Sequence, residues 1–392
     1  MEAVKMLIDY VKCTCCGACV DACPQNCIAL TDFHNGFLYP QIDSNRCINC
    51  KKCESVCHVS HEIKGSASLL CVAVQSKDDM VLEHATSGGM FLHLVKVLPE
   101  GAYVVGAVYD EQMVVKHEVL PKSDVHKFCG SKYNRSETVG IFTEVKKILD
   151  NGKKVMFTGV PCQISALKAY LGKNCENLIT CELFCHGQPS DLLFRKYVKN
   201  LEKKYSSKLV SYCFRSKSKG WDNQRIVYRF ANGKEVCIKP EQDANWMAFG
   251  FHLSLMDSCF HCRYRILERQ ADFSIGDFWG IENIKQNFNI KKGVSALLIN
   301  TDKGQRMFNR IRSEVNYVTC SFEEISLKNT GLYKNFSLTP KRALFWKDYE
   351  TMPIDRLLTE YSKFDNGIRY KLAVIKKELV RHIKLIKNRA EI

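Results

Sequence analysis

The chain has 392 residues, a formal charge of +15 and 21 cysteines, which allows two or three domains with an ordinary apolar core. An odd number of cysteines behind an N-terminal stretch, Met1–Tyr10, too polar for a secretory leader predicts free thiols in a reducing, cytoplasmic setting. No stretch approaches the roughly 18–20 apolar residues of a membrane span, and no recognised nucleic-acid-binding motif accompanies the basic charge, which suits anionic partners.

Two cysteine runs open the chain. Cys13, Cys16, Cys19 and Cys23 precede Pro24; Cys47, Cys50, Cys53 and Cys57 precede His58. Both read C-x2-C-x2-C-x3-C, the spacing that wraps three thiolates round one cubane and sends the fourth to its neighbour. Cys13, Cys16, Cys19 and Cys57 are therefore assigned to one [4Fe–4S] cluster, and Cys47, Cys50, Cys53 and Cys23 to another. Zinc knuckles would show two separated CxxC pairs instead. Two such clusters lower the formal charge to about +11, and a third would lower it to about +9. Cys15 and Cys27 stand outside the pattern and read as small buried hydrophobes.

Between the runs, Ile28–Leu30 and Phe37–Ile42 read as strands joined at Asn35 and Gly36, a hairpin signal. The module spans residues 1–64, and small residues from Gly65 to Ser68 look like a linker. From 69 to 345, strands alternate with helices. Strands are expected at 70–74, 102–109, 114–120, 155–158, 178–183, 209–214, 225–230, 235–239, 273–275 and 295–300. Helices are expected at 88–98, 138–150, 162–171, 190–204, 243–256 and 303–314. Asn232 and Gly233 mark a second hairpin. The fold class is α/β (α+β): a bacterial-ferredoxin-like module fused to a mixed α/β domain. A third segment, 346–392, carries a basic amphipathic helix at 369–389, with Leu372, Ile375, Leu379, Ile383 and Ile386 on one face. That helix either docks on its own domain or meets an anionic membrane surface or partner.

No G-x-G-x-x-G and no P-loop occurs. Four stretches of the second domain stand out. Thr86, Ser87, Gly88 and Gly89 open a helix that Ser87 can cap, in a form suited to phosphate. In Thr158–Gln163, Pro161 starts a helix and Cys162 sits at its N-terminus, as metal ligand, nucleophile or inert buried thiol. Leu183–Gly187 places Cys185 and His186 after a strand. Cys259 and Cys262 form a CxxC pair ahead of Ala271–Gly280. Cys162, Cys185, Cys259 and Cys262 could hold a third [4Fe–4S] cluster at strand ends, where sites of α/β domains gather. A zinc ion or a redox dithiol are alternatives, and Cys181 could replace Cys185.

Taken with Gly130–Tyr133 and Phe214–Trp221, these pieces resemble the coenzyme F420 hydrogenase/dehydrogenase beta-subunit family over roughly residues 5–345. The resemblance implies an iron–sulfur flavoprotein oxidoreductase whose mixed α/β domain binds FAD, and it strengthens the third cluster. It implies that Ser87, Gly88 and Gly89 approach the pyrophosphate and that Ser131, Lys132 and Tyr133 contact the flavin or its ribityl chain, with Lys132 balancing phosphate. Gly276, Asp277 and Trp279 would line the flavin. Tyr133 and Trp279 are equally readable as core aromatics. His186 is the candidate catalytic proton donor, or else a histidine hydrogen-bonded in a loop. Electrons would come from reduced ferredoxin or a deazaflavin and leave to an organic, anionic acceptor. A precursor in polysaccharide biosynthesis is one such acceptor, since stand-alone members of the family occur beside polysaccharide-synthesis enzymes. The alternative is a non-catalytic electron-transfer subunit that wires a partner oxidoreductase.

Overall fold

Each cysteine run folds by the same local device. In the computed structural model, which describes residues 7–283 and 288–361, the backbone turns left-handed twice per run. Cys15 and Asn49 (φ 53° and 52°) precede the second cysteine of their runs, and Gly17 and Lys51 (φ 77° and 59°) follow it. Short helices, Ala18–Asp21 and Lys52–Ser55, start at those turns. Left-handed conformation costs most non-glycine residues roughly 1–2 kcal/mol, so Cys15 and Lys51 hold it against their own preference, whereas asparagine, as at Asn49, tolerates it. At Gly17 a Cβ would also meet the Val139 side chain at 2.9 Å.

Strands Ile28–His34 (β1) and Phe37–Ile42 (β2) form the expected hairpin, with Asn35 and Gly36 at φ 52° and 64°. Its inner face is buried in the second domain. Phe37 and Tyr39 have no exposed surface and join Phe214, Phe345, Trp346, Leu357 and Leu358 in one cluster. Burying such side chains contributes roughly 1.5–3 kcal/mol each. Ser190 donates to the Gly36 carbonyl at 2.5 Å, Thr138 to that of Cys16 at 2.6 Å and Arg135 to that of Cys15 at 2.5 Å. The 65–68 segment is pinned too, since Ser66 and Arg269 exchange both backbone hydrogen bonds, at 2.9 and 2.8 Å.

The second domain is built on an eight-stranded mixed sheet. In chain order its strands are Leu70–Ser76 (β3), Tyr103–Tyr109 (β4), Val115–Pro121 (β5), Val155–Gly159 (β6) and Leu178–Leu183 (β7). Leu209–Ser216 (β8), Arg225–Phe230 (β9) and Glu235–Ile238 (β10) form a separate three-stranded sheet. Phe273–Asp277 (β11), Ser295–Ile299 (β12) and Val315–Thr319 (β13) return to the first, whose order is β13-β3-β12-β11-β7-β6-β4-β5. The quartet β11-β7-β6-β4 is parallel, and its flanks are antiparallel. Both faces are covered, and strand alternation divides them. Met156 of β6 joins the cluster under helices Met90–Lys96 and Asp302–Ile311, whereas Val155 and Phe157 join that under Ile141–Asp150 and Pro161–Leu171. The second sheet packs on helices Asp191–Tyr205 and Ala244–Gly250. There Asp243 caps the latter and accepts hydrogen bonds from Tyr197, Tyr212 and Tyr228.

Three expectations change. The helix expected at 243–256 ends at Gly250, because His252 turns left-handed (φ 61°). β13 and the helix Asp79–His84 were not foreseen. Helices Pro340–Tyr349 and Ile354–Tyr361 were not foreseen either; the first runs through the 345/346 division and buries Phe345 beside the ferredoxin hairpin. The basic segment 369–389 lies outside the described residues. Among those described, no helix is long and apolar enough to cross a membrane.

A buried ion pair ties β7 to the segment before β11. The Arg269 guanidinium donates to the Glu182 carboxylate and to the carbonyls of Tyr264 and Ile266, each carbonyl at 3.1 Å; Ser274 also donates to Glu182, at 2.7 Å. Glu182→Ala leaves Arg269 buried without its counter-ion and is expected to cost about 3–5 kcal/mol, read as a lower denaturant midpoint. Adding Arg269→Met should recover part of the loss.

Candidate metal centres

The thiols of the two runs lie close enough to feel one another's charge. Burial, then the charges of Cys13 and Cys57, push Cys16 up to about 12. Cys19 is pushed up by burial and by Cys16, Cys13 and Cys57. Cys13, Cys16, Cys19 and Cys57 line one small cavity. In the second set, Cys53 is raised by burial with Cys23 among its neighbours. Cys27 stands with this set, its Sγ 3.3 Å from that of Cys23. Bare thiolates crowded out of water repel one another, and an iron core relieves that by supplying positive charge. The two sets differ in depth. Cys13 and Cys19 are buried, whereas Cys50, Lys51 and Lys52 are exposed, as is Ile48.

Cys162, Cys185, Cys259 and Cys262 come together. They line one cavity of about 230 Å³ with Arg263, Arg265 and Arg269. β6 and β7 deliver the first two from their C-terminal ends, and the 257–262 turn delivers the pair. Gln188 donates its backbone N–H to Cys259 and its side-chain amide to Cys162, both at 3.3 Å. Cys181 does not belong here, since it lies wholly buried inside β7. The helix N-terminus does not lower the Cys162 thiol as expected. Burial, then the charges of Cys185, Cys262 and Cys259, push it up, and burial with Cys262 raises Cys185 to about 11. Among the described residues no three such side chains gather as closely as a single metal ion needs; the four thiols instead surround a shared space.

His58, next to Cys57, is buried at 2% exposure. Burial and the Arg263 charge hold it down at about 3, so the ring is neutral. Thr14 meets one ring nitrogen at 2.9 Å, and the Tyr264 hydroxyl meets the other.

Beside this cavity lies a second constellation. Arg215 of β8 pairs with Asp277 at the end of β11 and donates to the Tyr133 hydroxyl at 3.3 Å. The Trp221 indole donates to Asp277 at 2.9 Å. Trp221 and Trp279 stack with centroids 4.7 Å apart, and the Arg215 guanidinium lies 5.3 Å from the Trp279 ring. Tyr133 packs against Phe214, Trp246 and Phe249. Trp279 is 37% exposed and so is no core residue. Arg215 Nη2 is buried without a hydrogen-bond partner among the described residues, which suits it to an anionic or polar group. Gly276, next to Asp277, packs against the ring of Phe184, next to Cys185, so closely that a Cβ there would collide.

Other expected residues are placed differently. Ser87 does not cap its helix. It donates to the Val294 carbonyl at 2.9 Å, and the Gly88 amide is taken by Ser295 at 2.9 Å. Gly88 is small because a Cβ would collide with the Val74 carbonyl; Gly89, at φ 86°, starts the helix instead. This turn still borders the site, since Gly293 is wedged between Ser87 and Trp221. Lys132 donates to the carbonyls of Phe128, Cys129 and Gly130 at 3.4, 3.3 and 3.2 Å, and burial lowers it to about 8. His186 packs on Phe249 and Phe336 and meets His252 Nε2 at 3.0 Å. Burial, His252 and Arg265 hold it at about 3, so any donation from it starts from a neutral ring. Sequence reasoning assigned no role to Arg215, Trp221, Gln188 or Tyr264. Only the first two had a signal, from their place in the 214–221 stretch.

Residues 152–324 match the C-terminal part of the coenzyme F420 hydrogenase/dehydrogenase beta subunit, and residues 12–60 match the 4Fe-4S dicluster domain. Over 55 residues the chain is 40% identical to an uncharacterized ferredoxin of Methanocaldococcus jannaschii, covering 14% of this chain and 70% of that protein. A chain of the F420-reducing [NiFe] hydrogenase complex from Methanosarcina barkeri is similar at a TM-score of 0.45 and 22% identity, covering 68% of this chain and 88% of that one. The protein is thus an iron–sulfur electron-transfer protein related to the coenzyme F420 hydrogenase/dehydrogenase beta subunit, with a 4Fe-4S dicluster module at its N-terminal end.

Proposed function

We propose that this protein is an iron–sulfur flavoprotein oxidoreductase with three [4Fe–4S] clusters and FAD, passing electrons from reduced ferredoxin or a deazaflavin to an organic acceptor. The clusters carry electrons singly, and FAD, when bound, can pass them on in pairs. The observation that carries this reading is the close packing of Gly276 on the Phe184 ring, which brings the residue before Asp277 against the residue before Cys185. Cys47, Cys50, Cys53 and Cys23 would hold the outermost cluster, where exposed Lys51 and Lys52 favour an acidic donor. Cys13, Cys16, Cys19 and Cys57 would hold the next, and Cys162, Cys185, Cys259 and Cys262 the innermost.

Asp277, itself held by the Trp221 indole, fixes the Arg215 guanidinium, whose free Nη2 would meet a polar or phosphate oxygen of FAD. Tyr133 and Trp279 would flank the ring system, with Arg215 orienting the Tyr133 hydroxyl and Ser131 nearby in the chain. Ser87, Gly88 and Gly89 would border the pyrophosphate through side-chain and backbone surface, since the Gly88 amide is already used. A polysaccharide precursor is the acceptor that stand-alone relatives suggest.

A second reading, an electron-transfer subunit that wires a partner oxidoreductase, is favoured by His186. Its ring is neutral, packed among aromatics and bonded to His252, which leaves no charged acid there for an organic substrate.

Two measurements test the main reading. Anaerobically purified protein is expected to hold about twelve irons per chain, falling to about eight in Cys262→Ser; about eight in both would overturn the third cluster. Asp277→Ala is expected to lose bound flavin roughly tenfold or more while iron stays unchanged. Failure to find or reconstitute flavin with all clusters intact would decide for the wiring subunit.

A further inference from the structure

The wall between the first and third cysteine sites is thin and made of few residues. Thr14, His58 and Val59 line both the cavity that holds Cys13, Cys16, Cys19 and Cys57 and the one that holds Cys162, Cys185, Cys259 and Cys262. Two of the three are hydrogen-bonded to each other: Thr14 Oγ1 lies 2.9 Å from His58 Nε2. His58 Nδ1 meets the hydroxyl of Tyr264. Thr14 directly follows Cys13, His58 directly follows Cys57, and Tyr264 comes two residues after Cys262. An unbroken run of covalent and hydrogen bonds therefore leads from two cysteines of one set to a cysteine of the other. Arg263 Nη1 donates to the His58 carbonyl at 3.4 Å and closes the same junction from the backbone side.

We propose that Thr14, His58 and Tyr264 form the electronic bridge between the first and third cluster sites, so that electrons cross this wall through the imidazole. This inference rests on the three-cluster reading. One electron crosses per event. The site held by Cys13, Cys16, Cys19 and Cys57 is oxidised by one, the site held by Cys162, Cys185, Cys259 and Cys262 is reduced by one, and no proton changes hands. A one-electron reductant such as dithionite supplies the electron from outside. The imidazole suits the role because both its nitrogens are engaged, one as donor and one as acceptor, by hydroxyls that can do either. His58, Tyr264 and Thr14 are thus positioning residues that couple two sites without ligating either.

The test uses the full chain with all clusters loaded. Tyr264→Phe removes one oxygen and keeps the ring; His58→Phe removes both hydrogen bonds. Iron per chain, the midpoint potential of each cluster and the rate at which the third-site EPR signal grows after mixing with dithionite are measured, with Cys262→Ser marking that signal. Iron and potentials are expected to stay near the unsubstituted values, while the rate falls roughly tenfold or more in both variants. An unchanged rate in Tyr264→Phe with about twelve irons bound overturns the bridge and leaves the three-cluster reading standing. If His58→Phe loses iron, Tyr264→Phe alone decides. About eight irons in the unsubstituted protein, with no third-site signal, overturns the three-cluster reading and the bridge together.

Discussion

Everything downstream depends on the burial of one face of the ferredoxin hairpin. Phe37 and Tyr39 have no exposed surface, and the groups around them come from the second sheet and the last two described helices. A small two-cluster module has little core of its own. Here its core is completed by the domain it serves, and Arg135, Thr138 and Ser190 lock its backbone carbonyls to that domain. Rigid docking is what allows residues 57–59 and 162–188 to share a wall. A tethered module would bring the same thiols near only on average.

Electrostatics follows from that packing. Thiols are gathered where water is scarce, so burial and neighbouring thiol charges push Cys16, Cys162 and Cys185 up. Around the innermost group the chain adds Arg263, Arg265 and Arg269. Arg269 is spoken for by Glu182, whereas Arg265 donates to the carbonyls of His186 and Lys334 at 2.9 and 2.8 Å. The cationic rim is therefore held by backbone as much as by counter-ions, which leaves its charge available to whatever occupies the cavity.

The sequence is most legible where chemistry demands fixed spacing. The eight cysteines of a dicluster module can be read from intervals alone, and the hairpins from Asn-Gly pairs. The third group is legible only as fragments, because its four thiols are scattered along the chain and only the strand order joins them. Ser87 shows the limit of local rules. It looks like a cap, but the turn is decided by the close approach of Gly88 to β3 and β12. β13 and the helices after residue 339 were missed because the partners they pack on lie far away in the chain. His58 was visible as a departure from the usual proline, yet its meaning depends on Tyr264, more than two hundred residues later.

The paired left-handed turns carry one further implication. Cys15 and Gly17 in one run, and Asn49 and Lys51 in the other, trace the same backbone path. One copy presses Gly17 against Val139 and receives the Arg135 guanidinium, while the other shows Lys51 to solvent. Exposure and hydrogen bonding are what set a cluster's potential. A duplicated loop thereby becomes two unlike electron wells: the repeat supplies the cradle twice, and the host domain makes one of them deep.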